Sequence, residues 1–343
     1  MIEIDGSYLA AGGQILRTAI GLSALTKQPC KVVNIRSGRP NPGLQRQHLA
    51  GLRAVASLCN AKVGGDKLGS REILFAPREI TAGSLTIDIE SAGSISLVLQ
   101  SLIVPAVGAP GKLIFNIKGG TSVSWSPGIE YFQEVFCRNI KNMGLEIESE
   151  ILKYGFYPKG GGEVKVEVKP CKKLSPLNLA ERGNVNRYDV RSIASKFLEK
   201  SNVAIRQIEG AKNIIPKFDC EYFEYVDTLS PGSSAHIHAH CDNSVLGATV
   251  LGERGKKAER VGEECAMLLQ KQLDTNAALD RWMADQILPF MALATEHGPS
   301  EVSIAEITNH CLTNIWVIDK FLPVGFEVTG KKGEPGIIKC VRK

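Results

Sequence analysis

The chain has 343 residues, 43% of them hydrophobic and 22% charged, with a net charge of +5. That length allows two domains with cores of their own, and the balance of residue types excludes a disordered or low-complexity chain. No apolar run reaches the roughly 18 residues of a membrane span, and Met1-Ile2-Glu3-Ile4-Asp5 is no signal peptide, so a cytoplasmic protein with no membrane partner is expected. The nine cysteines include no CxxC pair, which argues against a zinc site or a redox dithiol and for reduced thiols.

In chain order, MIEID alternates as a strand does, and Ala10-Ala11-Gly12-Gly13 then leads into GGQILRTAIGLSAL, a helix apolar nearly all round. Gly6 to Gly65 contains no Asp or Glu but carries Arg17, Lys27, Lys31, Arg36, Arg39, Arg46, Arg53 and Lys62, a basic surface suited to a polyanion. Within it, IRSGRPNPGLQRQHL puts Arg36 and Arg39 on a Gly/Pro loop after a strand, and Arg46, Gln47 and His48 at the start of the next helix. Two arginines on a stiffened loop can form bidentate forks on phosphate oxygens, and the helix N-terminus adds its dipole.

A second strand, SLTIDIE, precedes a second apolar helix, AGSISLVLQSLIVPAV, and the amphipathic helix IEYFQEVFCRNIKNMG precedes the strand LEIESEIL. In YGFYPKGGGEVKVEV the glycines Gly160 to Gly162 stand before a strand, so they lack the aligned N–H groups of a helix N-terminus; a hairpin or bulge is expected, with Lys159 free to meet a phosphate. The pattern lapses between 184 and 275, which reads as a smaller inserted α/β domain, leaving 1–183 and 276–343 as the large domain. Inside the insert, His236, His238 and His240 alternate along one strand about 7 Å apart, wide for joint zinc ligation, and are expected on a polar outer face. The apolar helix plan returns in ADQILPFMALA, where Gln286-Ile287-Leu288 repeats Gln14-Ile15-Leu16. In TNHCLTNIWVIDKFLP, His310 heads a segment expected to turn strand-like; a satisfied structural histidine and a nucleophile both remain open. The fold class expected is α/β (α+β type): a large domain of three repeated βαβαβ-like units plus the smaller insert. No GxxxxGK[ST] loop and no GxGxxG after a strand is present, so any ATP would be held without a standard loop.

IDGS with GGQILR, IRSGRPNPGLQRQHL, SAGSISLVLQ, GGTSVSWSPGIEYF, YGFYPKGGGEV, ADQILPFMALA and NHCLTNIWVIDKFLPV together resemble the RNA 3′-terminal phosphate cyclase family, in order and over nearly the whole chain. The resemblance implies repeated units like those of enolpyruvyl transferases. It also implies a ligase that uses ATP to turn an RNA 3′-phosphate end into a 2′,3′-cyclic phosphate, with AMP and diphosphate as products. His310 would be the catalytic nucleophile, carrying AMP between ATP and the RNA end. Arg17, Arg36, Arg39, Gln47 and His48 would handle phosphates. Gln100, Asp285 and Gln286 would surround the nucleotide, Pro127 and Tyr131 would sandwich the adenine, and Trp282 matches a further ring.

ATP and a divalent metal, Mg or Mn, are the implied cofactors, RNA 3′-phosphate ends the partner, and a homodimer stays open. The family's metal-holding glutamate stands where this chain has Ala10, Ala11 replaces a glycine, and Ser122 and Gly128 replace an asparagine and a proline. Two other readings are a silent relative that assists RNA processing or ribosome assembly, and an enolpyruvyl transferase. His310 speaks against both.

Overall fold

The computed structural model describes residues 1–9 and 12–343; Ala10 and Ala11 lie outside it. The large domain is three copies of one β-α-β-α-β-β unit. The first comprises β1 (Ile2–Asp5), α1 (Gly13–Thr26), β2 (Cys30–Val33), α2 (Arg46–Leu58), β3 (Lys62–Gly64) and β4 (Ile73–Ala76), with sheet order β1-β2-β4-β3. The second comprises β5 (Gly83–Asp88), α3 (Ile95–Ala106), β6 (Leu113–Gly119), a helix of α4 (Ile129–Tyr131) and α5 (Cys137–Lys141) joined by a π turn at Phe132–Phe136, β7 (Ile147–Lys153) and β8 (Gly162–Val168). Its order, β5-β6-β8-β7, matches the first. In both, the first two strands pair in parallel across a helical crossover and the last two antiparallel.

The third unit starts with a two-residue strand, β9 (Asn178–Leu179), and is then interrupted by the insert. The insert holds β10 (Val185–Ser195), α6 (Val203–Lys212), β11 (Cys220–Val226), β12 (Ser233–Cys241), β13 (Val245–Leu251) and α7 (Ala258–Leu273), its sheet ordered β11-β10-β12-β13. The unit resumes with α8 (Met283–Ala294), β14 (Ser300–Ile304), α9 (Asn309–Phe321), β15 (Val324–Gly330) and β16 (Gly336–Arg342), where β9 pairs in parallel with β14. Each unit has one strand more than the βαβαβ expected, and two of the strands, β3 with three residues and β9 with two, are too short to show a period of two.

The first helices of the units, α1, α3 and α8, are buried nearly all round and share one core with the sheets, whereas the insert has its own. Two sequence expectations are corrected here. The run after His310 is helix α9, because Cys311, Asn314, Ile318 and Phe321 recur at helical spacing and are all buried. The three insert histidines do not form an outer face. His236 and His238 are buried, and only His240 is partly open, paired with Asp189 at 3.1 Å. One side of β12, Ala235, Ile237 and Ala239, packs on α6 and α7. The histidine side faces the large domain, where His236 Nε2 lies 3.2 Å from Glu130. Asn139 seals the same seam by bonding both the carbonyl and the amide of Val245, at 2.7 and 3.1 Å.

Candidate active site

Three helix N-termini meet where the units converge. Thr308 caps α9, its hydroxyl accepting from the Cys311 amide at 3.1 Å, which sets His310 in the first turn with its side chain about half exposed. From α1, Gln14 Nε2 donates to Asp285 Oδ2 at 3.0 Å and to the His310 carbonyl at 3.1 Å. From α9, Asn314 donates to the Asp285 carbonyl at 2.7 Å and accepts from Thr18 at 2.7 Å. These bonds lock α1, α8 and α9 together around His310, whose Nδ1 stands 4.0 Å from Asp285 Oδ2.

Burial and the cations Arg17, Arg39 and Arg281 push the His310 pKa down to about 4, so the imidazole is neutral at physiological pH. Burial raises Asp285 to about 7 although Arg17 opposes the shift, so this carboxyl titrates near neutrality. Arg17, partly buried, is lowered to about 10 by desolvation and stays charged, and its buried Nε has no hydrogen-bond partner. Gln14 Oε1 is likewise unpartnered. Orphaned buried polar groups beside a neutral imidazole are what a site awaiting a polar, anionic ligand looks like.

His48 adds a second neutral imidazole. It is the N3 residue of α2, and its Nδ1 accepts the Gln45 amide at 3.2 Å, which leaves the proton on Nε2. Burial, Arg17 and Arg36 lower its pKa to about 3. Nε2 packs against Gly13 so closely that a Cβ there would lie 2.1 Å away. The second glycine of the opening turn therefore makes room for His48.

Other expected residues distribute differently. Arg39 is exposed beside His310, but Arg36 is turned into its own loop, where Nη1 donates to the carbonyls of Asn41 and Gly43 at 2.5 and 3.0 Å. Gln47 Oε1 accepts the Ser94 amide at 3.0 Å, tying α2 to the start of α3. Gln100 and Gln286 line a cavity of about 30 Å³ with Gln14, Arg17 and Asp285. A space of that size has room for about one or two waters and is too small for a nucleoside.

Tyr131 is fully buried, its hydroxyl donating to Asp280 at 2.7 Å, so in this conformation it has no face free to sandwich an adenine. Trp282, edge-on to Tyr131 at 6.3 Å, and Pro127 are partly exposed and keep accessible surface. Sequence reasoning missed Thr18, Asn314, Asp280 and Arg281. Gln14 was legible, since the repeated Gln-Ile-Leu tripeptide marks both it and Gln286. Arg281 reaches Glu306 at 3.0 Å and lies over the Trp282 ring, 5.8 Å from the ring centroid to its guanidinium carbon.

A family model described as RNA 3′-terminal phosphate cyclase matches residues 8–328. The chain belongs to this family. Proteins of that name from Methanopyrus kandleri and Pyrococcus furiosus are 42% and 43% identical to it, over 99% and 100% of this chain and 98% and 99% of their own. One from Ignicoccus hospitalis is 42% identical over 99% of this chain and 98% of its own. For a member of the RNA 3′-terminal phosphate cyclase family, the convergence of Arg17, Arg39, His48 and His310 at one place is chemically apt, since phosphates are what two cations and two neutral N–H or lone-pair groups bind. Among the described residues, no group of three or more His, Cys, Asp or Glu side chains is placed to hold a metal ion, and no helix is long and apolar enough to cross a membrane.

Proposed function

We propose that this chain couples cleavage of ATP to AMP and diphosphate with closure of an RNA 3′-phosphate into a 2′,3′-cyclic phosphate, through an AMP carried on His310. The observation that carries the reading is a half-exposed, neutral imidazole beside the partly buried Asp285 and within reach of Arg17 and Arg39. A neutral imidazole is a nucleophile without help from a base. Its Nδ1 faces Asp285, so Nε2 is the nitrogen left free to react.

In the first step the Nε2 lone pair attacks the α-phosphorus of ATP, a P–N bond forms, and the bond to the pyrophosphate oxygen breaks. Arg17 and Arg39 balance charge on the transferring phosphate. An oxygen of the RNA 3′-phosphate then attacks the same phosphorus and displaces His310, leaving the RNA end joined to AMP through a diphosphate. Last, the 2′-hydroxyl oxygen attacks the RNA phosphorus, its proton goes to solvent, and AMP leaves. Only an RNA end has that hydroxyl.

A divalent ion, Mg or Mn, would be held by the ATP phosphates and their waters, with Asp285 and Gln14 Oε1 as the oxygens this chain offers. It would neutralise the leaving pyrophosphate. For the adenine, the burial of Tyr131 favours Trp282 and Pro127 as the contacting rings. The test is incubation with ATP, Mg and an oligoribonucleotide 3′-phosphate. A phosphatase-resistant cyclic end is expected, and none from an oligomer whose terminal sugar lacks the 2′-hydroxyl. No cyclic product under any metal, or product from the deoxy end, contradicts the reading.

A further inference from the structure

The segment between Thr121 and Ile129 is pinned at both ends and open in the middle. Thr121 donates its amide to Gly155 at 2.9 Å and accepts the Ile129 amide at 3.0 Å, and Val123 is buried. Pro127 accepts the Ser96 hydroxyl at 2.7 Å, at the first turn of α3. At the tip stands Trp125, 98% exposed, with a φ of +66°. That backbone region is unfavourable for a bulky side chain, and an indole left in water forgoes a large burial gain. The fixed ends of the loop hold both disfavoured features in place.

The surroundings say what such a ring suits. Trp125 is two residues from Pro127, so the two Cα atoms are within about 7 Å. No acidic residue occurs between Thr121 and Ile129, nor in the partnered loop from Tyr154 to Gly162, which carries exposed Tyr157 and the cation Lys159. An exposed ring on a loop of hydroxyls partnered by the segment that carries Lys159, and next to the proposed adenine contact Pro127, suits a nucleobase beside its phosphodiester.

We propose that Trp125 is a stacking platform for a nucleobase upstream of the RNA 3′-phosphate. This rests on the RNA-end reading given above. A π-face stacks on any base, so the platform selects single-stranded ends without reading their sequence, and it leaves the chemistry at His310 untouched.

The test compares the parent protein with Trp125→Ala and Trp125→Phe on a 3′-phosphorylated oligoribonucleotide and on a ribonucleoside 3′-phosphate, which has no upstream base. Expected for Trp125→Ala is a roughly tenfold rise in KM for the oligomer, with kcat within twofold. The KM for the nucleoside 3′-phosphate and the ATP dependence of self-adenylylation should be unchanged, and Trp125→Phe should restore most of the oligomer affinity. An unchanged oligomer KM assigns the ring to another partner, such as a protein, and overturns the proposal. An equal rise for both substrates, or a raised ATP requirement, overturns it too. Binding of the labelled oligomer, read by fluorescence anisotropy, needs no turnover. If the parent makes no cyclic product, the RNA-end reading fails on that count, while the anisotropy ratio of Trp125→Ala to parent still decides the platform.

Discussion

The Tyr131 hydroxyl donates to Asp280 across 2.7 Å, and neither residue is exposed. The same carboxylate accepts the amides of Gly247 at 3.0 Å, Trp282 at 2.9 Å and Met283 at 2.8 Å. One side chain therefore joins the insert, the helix after Pro127 and the start of the helix that carries Asp285. Asp280→Asn turns an acceptor-only group into one that must donate where donors already point. A loss of about 3 kcal/mol in urea unfolding is expected, because buried polar groups are left unpaired. Tyr131→Phe removes only one donor and should lose about 1–2 kcal/mol. A double-mutant cycle checks it: additivity of the two would mean the bond carries no stability.

His48 makes an acid-sensitive joint. Its folded pKa of about 3 lies below the ordinary value of 6.5, so the fold binds the proton more weakly than the unfolded chain does. Its contribution is present above pH 6.5 and is lost as pH falls toward 3. Between pH 6.5 and 4.5 the expected loss is on the order of 2 kcal/mol. In His48→Gln that part of the pH dependence should vanish from the urea midpoints; equal slopes for the two proteins would show that His48 takes up its proton in the folded state. Gly13→Ala tests the same joint from the other side, because its Cβ would sit 2.1 Å from His48 Nε2. Loss of about 2 kcal/mol with weaker adenylylation is expected.

The repeated helices were readable because each buries nearly every side and so writes an apolar run after small residues. Strands as short as β3 and β9 leave no such trace, which is why the third strand of the first unit and the first strand of the third stayed hidden. Alternation at His236, His238 and His240 correctly gave β12 two unlike faces. It could not say that the polar one closes on Glu130 in another domain, since periodicity carries no information on what covers a face. The β-branched Ile315, Val317 and Ile318 mimicked a strand, and tertiary burial of Cys311, Asn314 and Phe321 overrode that propensity. Of the site, the arginines and His310 were visible as residue types; the turning of Arg36 and Gln47 into structural bonds was not, since it depends on neighbours distant in sequence.

We expect Asp285 rather than His310 to set the pH dependence of the proposed adenylylation. His310, with a pKa of about 4, is neutral throughout the working range, whereas Asp285 loses its proton near 7. The charged carboxylate, 4.0 Å from His310 Nδ1, would balance the positive charge that builds on the imidazole as Nε2 attacks. Single-turnover adenylylation should therefore rise through pH 7 to a plateau. In Asp285→Asn the rate should fall by at least tenfold and the rise should disappear. A step near pH 7 that survives in Asp285→Asn belongs to another group.

The family resemblance implies a metal-holding glutamate at the position of Ala10. Ala10→Glu should lower the Mg or Mn concentration for half-maximal adenylylation several-fold, as an added carboxylate does for a hard cation held mainly by phosphates. An unshifted metal titration would assign the ion to oxygens already present, Asp285 first among them.

The proposed chemistry turns on a covalent bond between His310 and AMP. Incubation with α-labelled ATP and Mn, followed by denaturation and peptide mapping, measures it directly. The account predicts one acid-labile label on the peptide bearing His310, absent from His310→Ala and released by an RNA 3′-phosphate. Full labelling of His310→Ala, or a label on any other residue, would contradict it.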